Sequence, residues 1–254
     1  MVRATAAYLF IAVYVVVLAP FMMLWTAARG TSFVYAAARL CIRTAGWLAG
    51  VRVRTTGREK LVAGRNYVFL SNHQSNLDGP VLLHAVPRDL RAVIKYEMMR
   101  IPVLSLLMKQ VDFVPIARTD PEQARLAIEH GARLLRRGLS LFAFPEGTRS
   151  RDGVLRPFKK GVFVMALRAG APILPITILH SRELQAPGEY RIRPGVIEVV
   201  FHDPIATEGR SVQERNAVME MTRAAIASAL SVPSRKGEDR PPDPSRPAVG
   251  GSSD

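Results

Sequence analysis

The chain is nearly without cysteine. Among 254 residues only Cys41 carries a thiol, so an internal disulfide framework is excluded, and the five histidines show no metal-ligand spacing with cysteine or acid. Three sequence signatures are also missing: Gly-x-x-x-x-Gly-Lys, Gly-x-Gly-x-x-Gly and Gly-x-Ser-x-Gly. Their absence removes a P-loop nucleotide site, a dinucleotide fingerprint and a nucleophile-elbow serine hydrolase. Acids are scarce, 21 against 35 Lys and Arg, which leaves a net charge of +14. What is present is 48% hydrophobic and 22% charged, enough for a globular core and too polar for a polytopic transporter. At this length one catalytic domain with a small appendage is expected.

The positive charge is unevenly spread. Residues 1–66 hold nine basic side chains and one acid, Glu59. The same region carries an apolar run, 4–28, bounded by Arg3 and Arg29 and long enough as a helix to cross a hydrocarbon layer of roughly 30 Å. It is too long for the apolar part of a signal peptide. Pro20 is expected to kink it, which suits a re-entrant or interfacial segment. In the next stretch, 33–47, Arg39 and Arg43 lie one turn apart with Phe33, Leu40, Trp47 and Leu48 elsewhere around the helix, as expected at a headgroup boundary. If the first segment spans, the basic residues after it place the following domain in the cytoplasm. Nucleic acid is the competing partner for so basic a chain, but the charges flank apolar segments and no recognition motif appears, so no nucleic acid is expected.

Further along, short apolar runs alternate with longer helical patterns, the sign of an α/β domain. Strands are predicted over 67–70, 92–94, 112–115, 139–144, 173–178 and 196–201. Helices are predicted over 121–137, with Pro121 at its first turn and Gly138 as its stop, and over 211–230. Residues 233–254, rich in Pro, Ser, Gly and mixed charge, read as a disordered tail.

Two segments carry chemistry. Asn72-His73-Gln74-Ser75-Asn76-Leu77-Asp78 follows the first predicted strand, so His73 stands at a strand's C-terminal edge, where open α/β sheets place reacting groups. Asp78 can hold the imidazole in one tautomer, leaving the other nitrogen as a general base. No serine or cysteine is placed as nucleophile, so the base most simply activates a hydroxyl carried by a substrate. Phe144-Pro145-Glu146-Gly147-Thr148-Arg149-Ser150 also follows a predicted strand. Its Pro-Gly turn exposes backbone N–H groups, Thr148 offers a hydroxyl, and Arg149 offers a forked donor suited to phosphate. Glu146 is expected to orient a substrate hydroxyl or to lock Arg149. Taken singly, the histidine–aspartate spacing is more often a turn pair and the second heptapeptide more often an ordinary turn. Arg151, Arg156, Lys159 and Lys160 read either as a site for coenzyme A phosphates or an acidic carrier, or as a solvated loop. The apolar run 101–108 reads as a core helix or the lining of an acyl tunnel.

Together these segments resemble motifs I and III of the 1-acylglycerol-3-phosphate acyltransferase family. Phe113-Val114-Pro115-Ile116-Ala117-Arg118 resembles its motif II, with Ala117 where the family often has Asp. Ala171-Pro172-Ile173-Leu174-Pro175-Ile176 resembles motif IV, and Lys95-x-Glu97 resembles a segment between motifs I and II. The resemblance implies that His73 deprotonates the hydroxyl of lysophosphatidic acid for attack on an acyl-CoA or acyl-carrier-protein thioester, with Asp78 orienting it. It implies that Arg118, Arg149 and Lys95 bind the acceptor's phosphate, and that Glu146, Gly147 and Thr148 shape the glycerol site. No cofactor or metal is expected beyond the thioester co-substrate. The expected architecture is α/β, a central mixed sheet flanked by helices with an N-terminal hydrophobic helical membrane anchor. Its parts are anchoring helices 1–50, acyltransferase domain 51–232 and tail 233–254. The expected location is the inner membrane, catalytic domain toward the cytoplasm. A lyso-ornithine lipid or another lysophospholipid is an alternative acceptor, and a lipid thioester or ester hydrolase would use the same dyad.

Overall fold

The computed structural model describes residues 2–117 and 120–230; the expected tail and Arg118 lie outside them. Seven strands, β1 (Val51–Thr56), β2 (Val68–Ser71), β3 (Leu90–Lys95), β4 (Val114–Ile116), β5 (Ser140–Ala143), β6 (Ile173–Leu179) and β7 (Gly195–Phe201), form one sheet in the order β1-β7-β6-β2-β5-β3-β4. All neighbours are parallel except β6 and β7. The sheet is therefore mixed, as expected.

The strands in the middle read as unbroken apolar runs because both faces are covered. Phe69, Phe142, Leu174 and Ile176 enter one core, while Val68, Leu70, Leu141 and Ala143 enter the other. Strand β1 escaped the sequence reading: in Val-Arg-Val-Arg-Thr-Thr each inward residue is only half-buried and each outward one is exposed. Its end is tied to β7 at Gly57, whose φ is +75° and where a Cβ would stand 2.3 Å from the Phe201 carbonyl oxygen, a position only glycine fills. The strand expected at 112–115 begins two residues later, because Asp112 adopts a left-handed turn, φ 55°.

The helices are α1 (Val2–Arg29), α2 (Ser32–Ala49), α3 (Asp78–Ala85), α4 (Pro102–Gln110), α5 (Pro121–Arg136), α6 (Gly161–Ala169), α7 (Ser181–Leu184) and α8 (Arg215–Leu230). Helices α5, α6 and α8 pack on one face of the sheet and α3 on the other. α5 starts where expected because Asp120 accepts hydrogen bonds from the N–H groups of Glu122 and Gln123, both at 3.0 Å, with Pro121 in the first turn. The helix expected from residue 211 opens instead with a 3-10 turn, Val212–Glu214, closed by a capping box between Ser211 and Glu214.

At the N-terminus α1 runs unbroken through Pro20, so the expected kink does not divide it. α1 and α2 pair as a hairpin: Tyr14 donates to the Ala37 carbonyl at 2.9 Å, and Phe33 meets the rings of Phe21 and Trp25. Met22, Val34, Tyr35 and Val111 form a small core between this hairpin and α4. Counting only residues whose side chains are described, no helix is long and apolar enough to cross a membrane. One flank of α1 is packed on protein, against α2 and α4. Arg39 also departs from expectation, since it pairs with Asp89 at 3.3 Å over the Tyr35 ring instead of facing outward. Arg43, Leu40 and Trp47 are exposed together on the outer face of α2.

Candidate active site

The C-terminal ends of β2 and β5 bring the two heptapeptides together. After β2 the chain wraps around the carboxylate of Asp78, which is fully buried at the start of α3. Asp78 Oδ2 accepts from the N–H groups of Gln74 and Ser75, both at 2.7 Å, and from His73 Nδ1 at 2.8 Å. The acid thus builds its own loop and fixes the histidine tautomer, leaving Nε2 without a hydrogen-bond partner among the described residues. Asp78 Oδ1 finds no partner among the described residues. The imidazole lies flat on Phe144, ring centroids 4.0 Å apart and planes 11° apart, which removes its remaining freedom to rotate.

The second loop turns at Pro145 and Glu146, where the N–H of Gly147 donates to the Phe144 carbonyl at 3.0 Å and Gly147 takes φ 71°. Glu146 corrects an expectation. It is 3% exposed and bridges two backbone donors, the N–H of His73 at 2.7 Å and of Arg156 at 2.8 Å, while Arg149 is engaged by Asn76, so Glu146 does not lock Arg149. Burial pushes its carboxyl above the usual glutamate value, and those two N–H groups draw it part of the way back. The Ser150 N–H donates to the His73 carbonyl at 2.7 Å. Each loop is therefore held by the other.

Beside His73 opens a cavity of about 840 Å³, within the range of roughly 300–1,000 Å³ usual for small-molecule sites. Its mouth carries His73, Asn76, Gly147, Thr148, Arg149 and Lys95. Arg149 donates to the Asn76 side-chain carbonyl, and Lys95 pairs with Glu97 at 3.0 Å. The depth is apolar, and part of its wall comes from the N-terminal hairpin, with Met22, Val34, Tyr35 and Cys41 facing Met108 and Phe142. Met108, from the apolar run read as tunnel or core, is buried in this wall. A second cavity of about 400 Å³ shares Lys95, Phe144 and Gly147 with the first and adds Lys159. Among the described residues no cluster of three or more His, Cys, Asp or Glu is placed to hold a metal ion.

The structure thus brings His73, Asp78, Lys95, Gly147, Thr148 and Arg149 to one place, and puts Glu146 beneath it. Sequence reasoning missed two supports. Asn72, 1% exposed, clamps β6 by donating to the Ile178 carbonyl and accepting from its N–H, both at 2.8 Å. Phe144 serves as the platform for His73. Both residues stood inside the motifs, but no local spacing marks a partner seventy or a hundred residues away.

A family model described as Acyltransferase matches residues 52–179, the stretch that carries both loops. The chain belongs to the acyltransferase family. It is 38% identical over 139 residues to the chloroplastic 1-acyl-sn-glycerol-3-phosphate acyltransferase BAT2 of Brassica napus, covering 54% of this chain and 40% of that one. It is 32% identical over 176 residues to the 1-acyl-sn-glycerol-3-phosphate acyltransferase of Limnanthes douglasii, covering 69% and 62%. The chain thus spans less than two thirds of the length of either relative. Its fold is similar to the crystal structure of the 1-acyl-sn-glycerophosphate (LPA) acyltransferase PlsC from Thermotoga maritima, with a TM-score of 0.77 and 25% identity, covering 92% of this chain and 97% of that one.

Proposed function

We propose that the chain is an O-acyltransferase that moves a fatty acyl group from acyl-CoA or acyl-carrier protein to the sn-2 hydroxyl of lysophosphatidic acid, giving phosphatidic acid. The observation that carries this reading is a buried carboxylate holding one histidine at the mouth of an apolar cavity, next to Thr148 and Arg149. His73 Nε2 takes the acceptor's hydroxyl proton as that oxygen attacks the thioester carbon. The C–S bond breaks, and the departing thiolate receives the proton back from the ring. Asp78 offsets the positive charge the ring carries in between. The thioester supplies the activation, so no acyl-enzyme and no cofactor enter the scheme; positioning does the rest.

In this reading Arg149 and Lys95 hold the acceptor's phosphate, with Arg118 assigned by resemblance alone, and Gly147 and Thr148 contact the glycerol. Glu146 acts through the backbone of His73. The fatty chain lies in the larger cavity. The broad apolar face of α1, where Leu9, Val13, Val16 and Leu24 are exposed, together with Trp47 of α2, rests in one leaflet of the inner membrane, the catalytic domain on the cytoplasmic side.

The test is a panel of lyso-acceptors, lysophosphatidic acid, a lyso-ornithine lipid and another lysophospholipid, each with one acyl-CoA and one acyl-carrier protein. His73→Ala is expected to abolish transfer to every acceptor, and Arg149→Ala to weaken the phosphate-bearing ones selectively. Release of free fatty acid in place of acyl transfer would assign the dyad to a hydrolase and sink the proposal.

A further inference from the structure

At the other end of the parallel strands lies a depression that the acyl-transfer scheme leaves unused. The segments leading into β2, β3 and β5 and the first turn of α2 enclose about 790 Å³. Four arginines border it, Arg58, Arg65, Arg88 and Arg91, against one acid, Asp89. That acid is already engaged by Arg39 at 3.3 Å, so it leaves the groove's charge largely uncompensated.

The four cations differ in what they do. Arg88 donates to the carbonyls of Val62 and Arg65 beneath the Tyr67 ring, and so holds the rim. Arg91 is 7% exposed, with its Nη1 on the Asp89 carbonyl at 3.2 Å and its Nε unpartnered among the described residues. The guanidinium also lies over the Tyr35 ring, 5.5 Å from its centroid, but a buried cation with one unmet donor and no carboxylate of its own is still costly, and an anion in the groove lowers that cost. Arg58 and Arg65 are exposed and have no acid partner among the described residues. The 18-residue helix α2 also begins here, with no acid in its first turn and no side-chain cap, which adds a positive helix end.

We infer that this groove binds the headgroup phosphate of an anionic membrane lipid, at a site separate from the catalytic cavity. A lipid fits better than a free phosphate because an apolar side chain stands at the rim: Val62, whose carbonyl accepts from Arg88, is 56% exposed. The choice rests on the reading that the outer face of α1 meets the bilayer. A helix lying flat there puts its end at headgroup level, where the groove opens.

Flotation of the full chain with phosphatidylcholine vesicles, with and without phosphatidylglycerol, tests this. Phosphatidylglycerol is neither the acceptor nor the product of the proposed reaction. The double variant Arg58→Gln/Arg65→Gln is compared with a charge-matched one elsewhere, Arg191→Gln/Arg210→Gln. The groove pair is expected to lose about tenfold in affinity for the anionic vesicles, the control less than about twofold, and neither to change on neutral vesicles. Excess inorganic phosphate, at ionic strength matched with chloride, should leave the wild-type binding in place. Equal losses in the two variants would reduce the effect to net charge and overturn the site. Full displacement by inorganic phosphate, equal to the loss in the groove pair, would show that phosphate alone suffices and would overturn the preference for a lipid. Turnover of lysophosphatidic acid in micelles, measured on the same proteins, should match wild type in both variants. If no protein acylates the acceptor while the groove pair alone loses vesicle binding, the anion site stands and the acyltransferase reading falls.

Discussion

At the residue scale the candidate site depends on side chains that hold backbone. Glu146 and Asn72 each tie a loop of the candidate site to a second segment by paired hydrogen bonds of 2.7–2.8 Å. Leaving one buried donor or acceptor unmet costs about 1–3 kcal/mol. Glu146→Gln keeps an acceptor for one N–H and turns an amide toward the other, so it is expected to lower stability by about that amount in denaturant titration and to reduce kcat with little change in KM. Because burial raises the Glu146 carboxyl, the folded chain binds that proton more tightly than the unfolded one. Its contribution is therefore most favourable below the usual glutamate value and is lost as pH rises through the raised one. The variant should lack this segment of the stability profile. Asn72→Ala breaks both bonds to Ile178 and should destabilise the chain by a similar amount; full activity and unchanged stability would remove Asn72 from the support. Glu146 also shows where sequence reasoning stops. A carboxylate in a Pro-Glu-Gly turn points outward or inward with the same local sequence, and only the incoming N–H groups of His73 and Arg156 decide which.

Between elements, two junctions make measurable demands. Helix α8 is fastened to β6 through Thr177, whose hydroxyl donates to the Ile226 carbonyl at 2.9 Å and so accepts from His202 Nε2 at 2.8 Å. Burial, with the Lys60 charge adding to it, lowers the His202 pKa. The unfolded chain then takes the proton first, so stability is lost as pH falls below the ordinary histidine value. His202→Gln should remove that part of the acid dependence of the melting temperature; an unaltered profile would mean His202 plays no part in it. The second junction is the N-terminal hairpin against α4, where Cys41 and Met108 face the larger cavity. Filling it with Met108→Trp or Cys41→Trp should shift the preferred acyl chain toward shorter donors, read from kcat/KM across a chain-length series. An unshifted preference would remove the fatty chain from this cavity. Neither junction was legible beforehand. The run 101–108 reads as buried or tunnel-lining, but α1 and α2 read from the sequence only as an anchor, and nothing local indicates that these helices supply a cavity wall.

For the whole molecule, the hairpin lines the candidate cavity with one flank and exposes the other, so surface attachment and the proposed chemistry should separate under mutation. Val16→Asp with Leu24→Asp, both at exposed positions, is expected to reduce binding to vesicles while leaving turnover in detergent micelles near wild type. Loss of both together would place these residues in the fold instead of at the bilayer. The amino-acid sequence by itself determined what local physics governs: apolar runs for β2, β5 and β6, a capped and proline-started α5, and two motif loops placed after strands. Family membership was legible for the same reason, since motif order survives without coordinates. Tertiary structure alone decided the direction of Glu146, the pairing of β1 with β7, the platform of Phe144 under His73, and the basic groove gathered from residues 31 to 140. Those features are contacts between segments far apart in the chain, and their free energy appears only once the sheet's order brings the segments together.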